Sequence, residues 1–379
     1  MQPYALTEPT SVPSPALLFY PALIRRNLRR AIEVAGGADR LRPHVKTHKT
    51  REIAAIELEM GLTKHTCATL AEAEMLAEAG APDVLIAYPL VGPNAARLAR
   101  LAARHPRTRF GALVDHPDSA RGLSAAVSRA GQRIEAVLDL NVGQDRTGIA
   151  VSPAALSLYE LLADLPGLTP GGLHIYDGHN RHEALADRTA AVHALLGPVR
   201  ELRAELERRG RPVPRLVLGG TPTFPVHAKL DDRGAECSPG TFVLHDHGYG
   251  TRFPDLAGFT PAAAVMTRVV SRPTADRVTL DIGTKAVASD PPAGERCYLP
   301  GIPDYRAVAH NEEHLVVETP QADRFKPGDV LYAIPSHICP TVALYPRALV
   351  VEDGRVTGSW PIAARDRTLH VDEPAPAAV

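Results

Sequence analysis

No stretch of this chain runs to the roughly 18 consecutive apolar residues that a membrane span requires, so a transmembrane helix is excluded. A surplus of one charge is missing as well: 42 Lys+Arg stand against 43 Asp+Glu, a formal net charge of −1. With no basic excess to neutralise a phosphate backbone, nucleic acid is excluded as a general partner. Cysteine is sparse. Cys67, Cys237, Cys297 and Cys339 are scattered over 379 residues, too few for a disulfide framework, so any special cysteine acts as a thiol or a metal ligand. The opening MQPYALTEPTSVPSPALLFY lacks the charged head and apolar core of a signal peptide, which points to the cytoplasm.

What is present is ordinary globular composition, 45% hydrophobic and 22% charged, which excludes disorder. The 35 prolines and 29 glycines are spread along the chain and mark many short turns. The tail EPAPAAV reads as a frayed end. The length suggests two domains, or a large one and a smaller one.

From about residue 15 to residue 250, β-type runs alternate with helical stretches roughly every 25 to 35 residues, the βα signal. The runs are PALLF, LRPHVKT, DVLIAY, TRFGALV, IEAVLDL, GGLHIY and RLVLGG. Between them, TLAEAEMLAEAG places Leu70, Ala73, Leu76 and Ala77 on one helical face and stops at Gly80. His182 to Arg209 reads as one long amphipathic helix. Seven or eight such units fit a (β/α)8 TIM barrel, with a doubly wound open sheet as the alternative. After about residue 255 only short strands separated by Pro, Gly and Asp remain. The expected organisation is therefore an α/β barrel domain over 12–255 and a C-terminal all-β domain over 256–370, to which residues 1–11 are a candidate addition.

Five clusters can carry chemistry. In LRPHVKTHKT, a strand ending near His48 would put His44, Lys46 and His48 on one face at the barrel mouth. A lysine among cationic neighbours has its neutral amine favoured and becomes a nucleophile, although for the bare pattern a solvated basic loop is the commoner reading. In PSHICPTV, an extended segment would project His337 and Cys339 the same way, and imidazole with thiolate favours zinc. Glu312, Glu313 and His314 are candidate third ligands. LGGTPTFP, with Gly219, Gly220 and Thr221, could cradle a phosphate. IYDGHNRH offers Tyr176, Asp177, His179 and His182, a histidine there serving as acid or base. In DLNVGQDRTGI, Arg146 could neutralise a phenolate or a carboxylate.

Taken together, RPHVKTHK, LGGTPT, ECSPGTF and HxC followed by PTV resemble the D-threonine aldolase and D-serine dehydratase family, over nearly the whole chain. The resemblance implies an alanine racemase-like barrel (fold type III) with a C-terminal β domain, pyridoxal 5'-phosphate and a divalent metal. Zinc is preferred from the HxC pair, with manganese or magnesium as alternatives. It also implies that Lys46 is the Schiff-base lysine and that Tyr176 lies beside the cofactor. Arg146 falls near the cofactor's phenolic oxygen, and Gly219, Gly220, Thr221, Gly240 and Thr241 form its phosphate cradle. His337 and Cys339 bind the metal, and His182, with His179 as the spare, is the catalytic base.

The implied activity is that of a lyase on small D-β-hydroxy-α-amino acids, in the first instance retro-aldol cleavage of D-threonine to glycine and an aldehyde. Dehydration of D-serine, D-threonine or 3-hydroxyaspartate to a 2-oxo acid and ammonia is the alternative. Cys339 leans to the dehydratase, because family aldolases commonly carry a carboxylate there, whereas the histidine-rich IYDGHNRH leans to the aldolase. An amino-acid racemase on the same barrel would need no metal, and a small non-catalytic cofactor carrier would lack the β domain. A homodimer follows from the same resemblance.

Overall fold

The computed structural model describes residues 4–232 and 234–372; the EPAPAAV tail lies outside the described residues. Two compact units emerge. One comprises the chain up to Arg30, Thr47–Thr50 and Thr241–Arg365, and the other comprises Ala31–Lys46, Arg51–Gly240 and the segment from Asp366 onward.

In the second unit, the helices Leu70–Glu78 and Pro153–Asp164 bury apolar residues and pack against the strands that flank them, as the alternating pattern requires. Seven strands neighbour one another in sequence order: Lys64–Cys67, Asp83–Pro89, Arg109–Val114, Ile134–Asn141, Leu168–Ile175, Leu216–Leu218 and Ala235–Cys237. All their pairings are parallel. Parallel bridges from Leu41 to Cys237 and from His44 to Thr66 set the segment 41–44 between the last strand and the first, closing the ring at eight. The expected (β/α)8 barrel is therefore present, and the open doubly wound sheet is not. Leu85, Leu113, Val137 and Val217 pack together from four of its strands.

The helix boundaries follow local chemistry. Leu70–Glu78 is capped by Thr69, whose side chain accepts from Glu72 N, while Glu72 Oε2 accepts from Ala68 N, a capping-box arrangement. It stops before Gly80, where φ is +90°. The long helix begins at Leu185, not at His182. The guanidinium of Arg188 donates to the carbonyls of His182 (2.8 Å) and Glu183 (3.1 Å), which holds that stretch out of the helix.

At the N-terminal ends of the strands lies a buried charge network. Arg42 reaches Asp83 at 2.7 Å and Glu236 at 2.6 Å, Lys64 reaches Glu236 at 2.9 Å, and Arg109 and Arg215 join Asp83 and Glu135. Barrel ends of this kind serve stability, while chemistry sits at the opposite, C-terminal end.

The first unit is built on one large, mostly antiparallel sheet. Its strands run in the order Arg306–His310, Leu315–Glu318, Arg277–Leu280, Ala263–Thr274, Ala16–Phe19, Arg347–Glu352 and Arg355–Pro361. Val330–Pro335 also pairs with Ala263–Thr274, and Cys297–Tyr298 pairs with Val330–Pro335. Ala16–Phe19, grouped with the barrel strands by the sequence alternation, instead pairs antiparallel with Ala263–Thr274 and parallel with Arg347–Glu352. Its hydrophobic run fits the middle of a sheet: Leu18 packs with Tyr4, Tyr20, Met266, Tyr332 and Val351 in the core. Among the described residues no helix is long and apolar enough to cross a membrane.

Candidate active site

The barrel's site residues lie where its strands end. The chain leaves its strand position after His44 and turns into a 3-10 turn, Val45–Thr47, that carries Lys46. The expected single face of His44, Lys46 and His48 is therefore not formed. His48 is fully buried, with Nδ1 accepting from Thr50 N at 3.1 Å, whereas His44 and Lys46 are half-buried. Lys46 N donates to His44 Nδ1 at 3.3 Å.

Tyr176 is the meeting point of the expected cofactor residues. The Lys46 amine lies 5.6 Å from its ring centroid and the Arg146 guanidinium 5.0 Å, both within the distance at which a cation is drawn to an aromatic face. Two glycines make room for the ring. A Cβ at Gly220 would come to 3.3 Å of Tyr176 Cε2, and one at Gly178 would collide with the phenol.

The loop after the Leu216–Leu218 strand has an organised interior. Gly219 takes φ +69°, and a Cβ there would meet the His227 ring at 2.5 Å, so only glycine fits. Gly219 N donates to Ile175 O at 2.9 Å, Gly220 N to Thr223 Oγ1 at 3.3 Å, and Gly240 N to Thr221 Oγ1 at 3.3 Å. The amides of all three glycines thus have partners, in the neighbouring strand or in the loop itself, and Gly219 and Gly220 also act by clearance. Behind the loop, Asp177 is fully buried and accepts from Thr223 Oγ1 (2.7 Å) and His227 Nε2 (2.9 Å). Asp177, which IYDGHNRH sets beside the rim histidines, is instead a support for this loop. Thr223 and His227 were not singled out, although their i, i+4 spacing after the double glycine carries that signal.

The two candidate bases are exposed. His179 lies beside the Arg146 loop, with its Nε2 3.0 Å from where a Cβ on Gly143 would stand. His182 makes no side-chain hydrogen bond among the described residues.

In the other unit, His337 is extended (φ −137°, ψ 99°), but Cys339 sits in the first turn of the helix Ile338–Ala343. The expected extended segment is corrected to a strand-to-helix corner, which still brings the imidazole and the thiol together. Asp290 Oδ2 lies 2.5 Å from His337 Nδ1, which leaves Nε2 for a metal, the usual orientation of a carboxylate-held ligand histidine. Glu312 and Glu313 pair with Lys285 instead; Asp290, in ASDPP, carried no sequence signal. The Thr47 and Thr241 hydroxyls lie 3.1 Å and 3.5 Å from the Cys339 sulfur, so Thr241, expected at the cofactor, bonds to this thiol.

Burial alone would raise the Cys339 thiol, but His337, Thr241 and Thr47 outweigh it and lower it. Burial likewise disfavours charge on His337, yet Cys339 and Asp290 raise it to about 9. A stabilised thiolate beside an oriented imidazole is a donor set suited to a divalent ion such as zinc. Among the described residues, Glu74, Glu78 and His370 also group as potential ligands. Their own bonds, His370 N to Glu74 at 2.7 Å and His370 Nδ1 to Glu78 at 3.0 Å, account for them as an anchor of the C-terminal segment.

The family description "Alanine racemase, N-terminal domain" matches residues 21–246, and "Putative serine dehydratase domain" matches residues 262–351. A D-threonine aldolase from Arthrobacter sp is 32% identical over 362 residues, covering 93% of both chains. The chain belongs to the D-threonine aldolase and D-serine dehydratase family. Within this pyridoxal phosphate-dependent, fold type III family it is a lyase. The structure of a D-threonine aldolase from Filomicrobium marinum matches with TM-score 0.87 and 28% identity, over 94% of this chain and 96% of that one. A D-threo-3-hydroxyaspartate dehydratase from Delftia sp. (strain HT23) is 28% identical, covering 81% of this chain and 85% of its own. The D-threonine aldolase from Arthrobacter sp is matched at higher identity and over more of the chain than this dehydratase.

Proposed function

We propose that this family member uses pyridoxal phosphate and a divalent metal to cleave D-β-hydroxy-α-amino acids, D-threonine first, to glycine and an aldehyde. The observation that carries the reading is the convergence of Lys46 and Arg146 on the Tyr176 ring at the C-terminal end of the barrel strands. The cofactor residues lie in 12–255 and the metal pair in 256–370. Lys46 holds the cofactor, Tyr176 and Arg146 bind its ring, and the loop from Gly219 to Thr221 with Gly240 holds its phosphate, while Thr241 backs the Cys339 thiol. His337 and Cys339 hold the metal, for which the sulfur donor favours zinc over manganese or magnesium.

When bound, the cofactor supplies an electron sink for the carbanion at Cα, and the metal a Lewis acid for the β-hydroxyl. His182, or His179 from its place beside Gly143, takes the hydroxyl proton as Cα–Cβ breaks. Lys46, half-buried against Tyr176, exchanges protons at Cα. The second reading is dehydration, in which Lys46 removes the Cα proton and the β-hydroxyl leaves, giving a 2-oxo acid and ammonia. Cys339, a thiol in place of the carboxylate common in the aldolases, favours it. The same proposal places a homodimer in the cytoplasm, a reducing compartment that suits four free cysteines.

The test is to give the loaded enzyme D-threonine, D-serine and 3-hydroxy-D-aspartate separately and identify the products. Glycine and aldehyde support the first reading, and a 2-oxo acid with ammonia supports the second. Interconversion of L- and D-alanine with neither product overturns both.

A further inference from the structure

The peptide group between His337 and Ile338 separates the two metal donors, and both of its polar atoms are held by buried side chains. Ile338 N donates to Asp246 Oδ2 at 3.2 Å, across 92 residues of sequence. His337 O accepts from Thr341 Oγ1 at 2.9 Å, and Thr341 Oγ1 also accepts from Ala288 N at 3.0 Å. Asp246 is 2% exposed and Thr341 0%.

Ile338 opens its helix, so its N–H has no partner within the helix. The capping position is occupied by His337, which makes no side-chain cap. Its ring is turned to Asp290 instead, and the missing cap arrives from Asp246. The same carboxylate also caps its own short helix, His247–Arg252, through Tyr249 N at 2.9 Å. The two turns are pressed together: a Cβ at Gly248 would run into the Ser336 carbonyl. On the other side, Ser336 N is tied to Arg296 O at 2.9 Å.

We propose that Asp246 and Thr341 are positioning residues for the metal pair, clamping the plane of the 337–338 peptide and thereby the angle between imidazole and thiolate. Neither touches the metal. A metal with a preferred geometry reads that angle directly, so a loosened peptide lets the two donors drift apart even though both remain. The inference rests on the reading of His337 and Cys339 as metal ligands.

Asp246→Ser separates the two duties of the carboxylate. Serine is a good N-cap and keeps Tyr249 N satisfied, but its hydroxyl is too short to reach Ile338. Thr341→Val removes the opposite hydroxyl with little change in shape. Metal-free protein is titrated with Zn2+ against a chromophoric chelator, and with Co2+ while the sulfur-to-cobalt absorbance is recorded. The expected result is wild-type Zn2+ binding weakened about 10- to 100-fold in each variant, the range typical of lost outer-shell support. The cobalt band is altered, while the metal-free variants, although destabilised by the unpaired peptide group, keep the circular dichroism of the wild type. Should Asp246→Ser not accumulate as folded protein, Thr341→Val carries the same expectation. Variants with wild-type affinity and an unchanged cobalt spectrum overturn the inference. A wild-type protein that binds neither ion overturns the metal pair itself.

Discussion

His227 and Asp177 meet at 2.9 Å with both side chains fully buried, directly behind the Gly219–Gly220 turn. Through Thr223 the same carboxylate reaches the amide of Gly220, so the shape of the loop depends on a fully buried group.

Asp177→Ala leaves His227 and Thr223 without their buried partner, a loss of roughly 1–3 kcal/mol that falls on the loop. Pyridoxal phosphate binding to the apo-protein is expected to weaken about tenfold, the equivalent of about 1.4 kcal/mol. An absorbance titration checks it, and unchanged affinity would show that the loop holds its shape unaided.

Removing the amine of Lys46 is a more direct test. Lys46→Ala is expected to lose the visible absorbance of the loaded enzyme and to lower turnover by at least about a thousandfold. Lys46→Arg, which keeps the charge without a nucleophilic amine, is expected to do the same. A coloured, active Lys46→Ala protein would remove this residue from the chemistry.

The His337 imidazole, raised to about 9 beside Cys339 and Asp290, carries a proton at neutral pH that a metal must displace. Zn2+ affinity is therefore expected to rise about tenfold per pH unit up to about 9 and then level off. Calorimetry in buffers of different ionisation enthalpy should show close to one proton released at pH 7. Affinity flat between pH 7 and 9 would contradict this. EDTA is expected to stop turnover while the visible absorbance remains.

The charge network beneath the barrel predicts an acid-side weakness. Burial would raise Asp83 and Glu236, but Arg42, with Arg109 on the former and Lys64 on the latter, outweighs it and holds both below the usual carboxylate range. Groups lowered in the folded state stabilise above their unfolded values and lose that contribution as pH falls through the folded ones. Denaturant unfolding should show stability lost below about pH 4. Arg42→Leu, which strands two buried carboxylates, is expected to cost about 3–5 kcal/mol at pH 7. A smaller pH 7 loss with no acid-side change would mean that water reaches the network.

Sequence periodicity carried six of the eight barrel positions, those of LRPHVKT, DVLIAY, TRFGALV, IEAVLDL, GGLHIY and RLVLGG, but not the strands Lys64–Cys67 and Ala235–Cys237, which are too short to show a period. It failed for Ala16–Phe19, whose partners lie hundreds of residues away and whose run of apolar residues reads alike in either sheet. The site residues divide in the same manner. Lys46, Tyr176, Arg146, His337 and Cys339 stand in compact motifs. Asp290 and Asp246 stand far from the HxC motif in sequence, where a lone carboxylate looks like any other, and Thr341, although inside that motif, shows its bonds to His337 O and Ala288 N only in the fold. The strict face of His44, Lys46 and His48 gave way because a 3-10 turn replaces the period of two with one of three.

The placement of Ala16–Phe19 also bears on how the molecule is made. That strand is an interior rib of a sheet whose flanking ribs, Ala263–Thr274 and Arg347–Glu352, are made only after the whole barrel has followed it. The barrel strands between Leu41 and Cys237 can assemble as they emerge. This rib must wait, unpaired and apolar, until both of its partner strands have been made. A fragment that omits the first twenty residues would leave a slot in that sheet, with two open edges ready to recruit a neighbour.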